Sequence, residues 1–187
     1  MGGRVIPMFT NNGIPGAKAT RHPVVEKLAL GGVLAMLAAD LLQATPEVIA
    51  LVALLVAAAH AARLYLWQPW RTFGTPIVWV LHVAYGWVVV YLLLRGLSPF
   101  GFVGELLAAH ALTIGAIGGM TIGMMTRTAR GHTGRPLTAD QFEVACYVLI
   151  VLAATLRVVG GMLLPDAYRA TVVASGVCWS AAFALYA

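Results

Sequence analysis

Charge is what this sequence has least of. Lysine and arginine number 12 and aspartate and glutamate seven among 187 residues, 10% in all, where soluble domains carry about 25%. With 60% of residues hydrophobic, a water-soluble globule has too little polar surface to cover its core. Cysteine is almost as scarce. Cys146 and Cys178 lie in apolar stretches and form no CxxC pair, which implies no disulfide framework and suits small packing residues. A lysine-rich tail is missing, and the basic residues are spread over connecting segments, so the net charge of +5 does not indicate nucleic acid. No signal-peptide cleavage pattern follows the polar first 23 residues, so the first apolar segment stays as a spanning helix. Nucleophile elbow, phosphate loop and zinc-protease motifs are all absent. The carboxylates stand singly near helix ends and form no proton relay.

What is present is a series of apolar runs of the length that crosses a bilayer core, about 20 residues. Six are read: Val24–Leu42, Glu47–Trp67, Pro76–Leu94, Phe102–Met125, Phe142–Leu163 and Ala167–Tyr186. Thr45-Pro46 and Thr75-Pro76 each place a capping hydroxyl before a proline at the first helical position. Thr138 with Gln141 reads as a capping box. Pro165-Asp166 ends one span and opens the next. No strand-period alternation competes, so the fold class is all-α, a polytopic integral membrane protein of six transmembrane helices. Residues 1–23 form a loop segment, whose Gly, Asn and Pro content predicts irregular backbone, and residues 24–187 form the six-helix domain. A chain that opens in a connecting segment is expected to be cut from something longer, or to start where a larger relative has an internal linker.

Orientation follows from lysine and arginine near the span ends. One face receives Arg4, Lys18, Arg21, Lys27, Arg63, Arg71, Arg127, Arg130 and Arg135; the other receives Arg95, Arg157 and Arg169. Nine against three puts the first face, and both termini, in the cytoplasm.

Histidine inside such spans is expensive and by default functional. His60 lies roughly 12 Å from the cytoplasmic end of the second span, and His82 roughly 9 Å into the third from the same face, at about 1.5 Å per residue. The two helices are antiparallel neighbours, so these imidazoles suit one shared metal or the two faces of one haem. Alanines flank His60 on both sides and leave room for a partner helix or a flat cofactor. Arg63, one turn on, suits an anionic group such as a propionate. His110 enters the fourth span from the opposite face and is a further candidate metal ligand. His132 lies outside the apolar core, among Arg127, Arg130 and Arg135, a loop that suits phosphate, lipid headgroups or propionates. Met120, Met124 and Met125 offer soft thioethers to Cu(I). Gly115, Gly119 and Gly123, at four-residue spacing, predict close approach of another helix. All of these features equally suit packing: an intramembrane histidine often serves as an interhelical hydrogen-bonding residue.

Four segments, GGRVIPMFT (Gly2–Thr10), HAARLYLWQPWRT (His60–Thr72), WVLHVAYGW (Trp79–Trp87) and HALTIGAIGGMTIGMMTR…GHTGRPL (His110–Leu137), together resemble the NnrS family. These are bacterial membrane proteins of the nitric-oxide response that contain haem and copper. The resemblance covers the whole chain but only the C-terminal half of the family's pattern of about twelve spans. The histidine-rich HxHEM-type segment of the other half has no counterpart here. What it implies is a bacterial inner-membrane protein binding haem b and, secondarily, copper. The cofactor-binding candidates are His60, His82, His110, His132, Arg63, Arg127, Arg130 and Arg135. The metal candidates among them are His60, His82 and His110. The missing half implies another membrane chain or a homo-oligomer as partner, besides the bilayer itself. The alternative is a cofactor-free accessory subunit of a larger respiratory or metal-handling complex; a small-solute or metal transporter is a third reading.

Overall fold

The computed structural model describes residues 2–187 and is helical throughout, with no strand among the described residues. Six long helices stand where the sequence places them: α2 Pro23–Leu41, α3 Pro46–Leu66, α4 Pro76–Leu97, α5 Glu105–His132, α6 Gln141–Leu163 and α7 Tyr168–Tyr186. Four of them, α3 to α6, are long and apolar enough to cross a membrane. α2 has the length but carries Glu26, Lys27 and Asp40, and α7 is diluted by Arg169, Thr171, Ser175 and Ser180. Prolines occupy the first turns of α2, α3 and α4, where a missing N–H removes no helix bond.

Three local expectations are corrected. The N-terminal segment begins as a helix, α1 Gly2–Gly13, instead of an irregular loop. Its Gly3, Ile6, Pro7 and Thr10 fall on one face and are all buried, so tertiary burial outweighs the poor helix propensity of its glycine and proline. The chain then turns back. The Asn11 side chain exchanges two hydrogen bonds with the Ala19 backbone, at 2.8 and 3.0 Å, and Thr20 N–H donates to the Leu66 carbonyl. The capping box before α6 is made by Asp140 and Glu143, not by Thr138 and Gln141. Asp140 accepts from the N–H groups of Phe142 and Glu143, both at 3.0 Å, and Glu143 accepts from Asp140 N–H. A carboxylate adds attraction to the positive helix end that a hydroxyl lacks. Finally, α5 continues past Met125 to His132, so Arg127, Arg130 and His132 ride on a helix. Thr126 anchors this extension through a 2.6 Å hydrogen bond to the Tyr147 hydroxyl on α6.

α4 is the hub of the bundle and packs against α3, α5 and α1. The glycines of α5 form its contact with α4. Cβ atoms at Gly115, Gly119 and Gly123 would press on Trp87, Ala84 and Val80 in turn, descending one helix as they ascend the other. This is an antiparallel seam of small residues. Gly118 instead receives Trp179 of α7. The glycine face is thus consumed within the chain and is not left for an outside partner. Gly119→Leu should destabilise the detergent-solubilised protein by about 1–3 kcal/mol through overpacking against Ala84. Gly176→Ala, which meets nothing within 4 Å, should be neutral or stabilising. Thermal melts of the two variants separate the cases.

Both cysteines are free, with Cys146 buried.

Candidate functional site

α1 runs antiparallel to the first half of α4. Its C-terminal end lies beside the start of α4, where a Cβ on Gly13 would touch Val78, and its N-terminal end approaches Tyr85 and Met120. Its buried face lies against the residues the sequence singles out. Thr10 is fully buried. Its hydroxyl lies 2.9 Å from the Ile6 carbonyl and 3.2 Å from Nε2 of His82. Nδ1 of His82 lies 3.2 Å from the Val78 carbonyl on its own helix. A carbonyl only accepts, so with the ring proton on Nδ1 the Nε2 lone pair faces the Thr10 hydroxyl, whose single proton it shares with the Ile6 carbonyl. That tautomer is the one in which a carbonyl orients an imidazole for ligation.

His60 is placed differently. Its Nε2 donates to the Ala29 carbonyl of α2 at 3.3 Å, so Nδ1 accepts from the Tyr85 hydroxyl at 2.7 Å. The Tyr85 oxygen in turn accepts from Nη1 of Arg63 at 3.2 Å. Arg63 completes a two-pronged ion pair with Glu26 of α2, Nε donating at 2.7 Å and Nη2 to the second oxygen. Its guanidinium lies 5.4 Å from the Trp67 ring centroid, and Trp67 packs on Tyr85 at 4.5 Å. Gly3 of α1 lies directly against the same guanidinium, which any Cβ there would overlap. One polar chain, Glu26–Arg63–Tyr85–His60–Ala29, therefore links α2, α3 and α4 beneath α1. His60 uses its only free lone pair inside it.

The four arginines expected to hold anions divide sharply. Arg63 is matched by Glu26. Arg130 is matched by Glu143, with both oxygens at 2.7 Å from Nε, and by Asp140, at 2.7 Å from Nη2. Arg135 and His132 are exposed. Arg127 is 7% exposed, forms no ion pair among the described residues, and its Nη1 has no hydrogen-bond partner. The guanidinium carbon lies 3.6 Å from the centroid of Phe9. Phe9 adjoins Thr10, so the unmatched cation and the His82 lone pair lie against consecutive residues of α1. Three residues before Arg127 and three before Phe9, Met124 and Ile6 line a cavity of about 290 Å³, with Gly2, Val5, Leu81 and Met120.

His110 stands apart, near the far end of α5. Among the described residues no three His, Cys, Asp or Glu side chains come together to hold a metal ion, so His60, His82 and His110 do not form one centre.

The family model described as NnrS protein matches residues 1–187, the whole chain. The chain belongs to the NnrS family. It is accordingly a membrane protein related to the nitric-oxide response. No curated protein and no solved structure matches it. The four segments that carry the family resemblance meet in space. Gly2–Thr10 forms most of α1, which lies against Arg63 and Trp67 of the second segment, His82 and Tyr85 of the third, and Met120 and Arg127 of the fourth. Sequence reasoning missed Glu26, Thr10 and Phe9. Glu26 alone left a signal: it is an acid in the first turn of α2, at the membrane face where Arg63 ends α3.

Proposed function

We propose that this NnrS chain binds haem b inside the bilayer, in a six-span arrangement with both termini on the cytoplasmic side of a bacterial inner membrane. The observation that carries this reading is the adjacency of the His82 Nε2 lone pair and the orphaned Arg127 guanidinium under one turn of α1. A haem asks a protein for an axial imidazole, a cation for its propionates and an apolar surround. Its porphyrin supplies the other four iron ligands, so no protein cluster is required. Copper asks for several protein donors at once. Met120 and Met124 at the cavity offer two thioethers only, so copper has the weaker support.

In this reading the haem supplies a redox-active iron able to bind a diatomic ligand. The chain's own residues do the rest. His82 would hold the group through Nε2, with Val78 fixing the ring and raising its basicity and Thr10 beside that nitrogen. Arg127 would pair with a carboxylate. Leu81, Met120 and Met124 keep water out. His60, Tyr85, Arg63 and Glu26 hold α2, α3 and α4 in place behind the site. His110 and His132 take no part.

The experiment is an oxidised-minus-reduced absorbance spectrum with haem quantified on the detergent-purified full chain. A b-type spectrum is the expected result, and Arg127→Leu should lower haem retention by about tenfold, the loss of one charge-assisted contact in an apolar site. A colourless chain after expression with ample haem would overturn the proposal. That result would favour the second reading, a cofactor-free accessory subunit, which the fully satisfied hydrogen bonding of His60 supports.

A further inference from the structure

We propose that the end of the bundle remote from α1 carries an oxyanion site, built from His110 on α5 and Arg157 on α6 and independent of the haem reading. The two helices run antiparallel, and their register is set by packing. Leu107 of α5 lies 2.8 Å from where a Cβ of Gly161 on α6 would stand. Ala111 and Val158 then meet in one apolar cluster with Ala108, Val103 and Leu94. One residue back from each of that pair are His110 and Arg157, so the register brings these two positions to the same level of the bundle.

Both helices widen at this level. α5 takes π-helical geometry over Ala111–Gly118, and α6 takes it over Leu156–Gly160. Such turns displace carbonyls from the regular ladder and recur at functional sites. Nearby hydroxyls are already committed to backbone: Thr113 donates to Ala109, Thr155 to Val151 and Thr171 to Tyr168. Arg157 is not satisfied in this way. Its Nε is buried without a hydrogen-bond partner among the described residues.

No carboxylate answers these two groups. Glu105, at the start of α5, has a side chain 77% exposed and lies 3.5 Å from Arg95. Asp166 lies beyond the end of α6 and makes no ion pair among the described residues. The other arginines near the membrane faces that make ion pairs, Arg21, Arg63, Arg95 and Arg130, each have their acid. A guanidinium beside an imidazole, with no carboxylate paired to either among the described residues, can hold an anion between them, the imidazole donating through a ring N–H. The planar fork of Arg157 selects an oxyanion of the phosphate type over a spherical ion. Inorganic phosphate and the phosphate of a lipid headgroup share that chemistry.

The test uses the full chain in maltoside micelles, which carry no phosphate, and reads the thermal midpoint, which rises when a ligand binds only the folded state. In the first arm, inorganic phosphate is titrated against chloride at matched ionic strength. In a second arm, phosphatidylglycerol is titrated into the micelles without added phosphate. A saturable rise in the first arm identifies free phosphate as the occupant; a rise confined to the second identifies the headgroup. Either rise should need about tenfold more ligand in Arg157→Gln, the loss of one charge-assisted hydrogen-bonding group. His110→Gln should weaken it in the same direction, and that variant decides the matter if Arg157→Gln does not fold. Absence of a rise in both arms, or an equal rise in wild type and variants, would overturn the proposal.

Discussion

His82→Ala should leave the purified chain with less than about a tenth of the wild-type haem, because it removes the one imidazole whose lone pair is held toward the site by its own helix carbonyl. His60→Ala should behave differently. It deletes the acceptor of the Tyr85 hydroxyl and a second donor to the Ala29 carbonyl, and leaves the buried hydroxyl proton without a partner. The expected result is a stability loss of about 1–3 kcal/mol with haem largely retained. Haem content per folded chain, measured for the two variants side by side, discriminates the roles. Equal loss in both would make them an axial pair and require His60 to abandon Tyr85. Retention in His82→Ala would remove that residue as a ligand.

Glu26→Ala should be the most destabilising single change in the bundle. It strips the partner from an arginine whose side chain is 8% exposed and leaves a guanidinium charge in an apolar setting, with an expected loss of about 3–5 kcal/mol. The effect should spread beyond α2. Arg63 also anchors the Tyr85 hydroxyl and lies against Gly3, so its displacement loosens α1 as well. Removing both charges together, as Glu26→Gln with Arg63→Met, should recover much of the loss, since an apolar replacement of a buried pair is often neutral. Thermal midpoints of the two single variants and the double variant form the measurement. A double variant as unstable as the sum of the singles would show that the two residues act separately.

The long helices were legible because their signals are local. α3 and α4 begin at the prolines that follow Thr45 and Thr75, and four of the six apolar runs have the length and hydropathy of a span. α1 was not legible, because what holds it helical is not in its own sequence. Gly3 suits that segment because Arg63, sixty residues away, fills the space a side chain would take. The glycines of α5 announced a close approach, but only the fold shows that Trp87, Ala84, Val80 and Trp179 make it. The histidines were found by depth, yet depth cannot distinguish a ring tied to its own helix from one tied across to a neighbour. That difference rests on which carbonyl each nitrogen meets, Val78 within α4 for His82 and Ala29 across on α2 for His60. Asp140 and Thr138 are both good cap residues, and only the start of α6 at Gln141 decides between them.

The seat of α1 among α3, α4 and α5 also constrains the order in which the protein can be made. Its contacts are drawn from Arg63 on α3, His82 on α4, and Met120 and Arg127 on α5, and none of these stretches exists when the N-terminal segment leaves the ribosome. The segment must wait at the membrane surface until α5 has been synthesised and seated against α4 along the glycine seam. Only then does its groove exist. Closure over His82 and Arg127 is therefore a late event in biogenesis, and on the haem reading a prosthetic group would have to load before α1 docks.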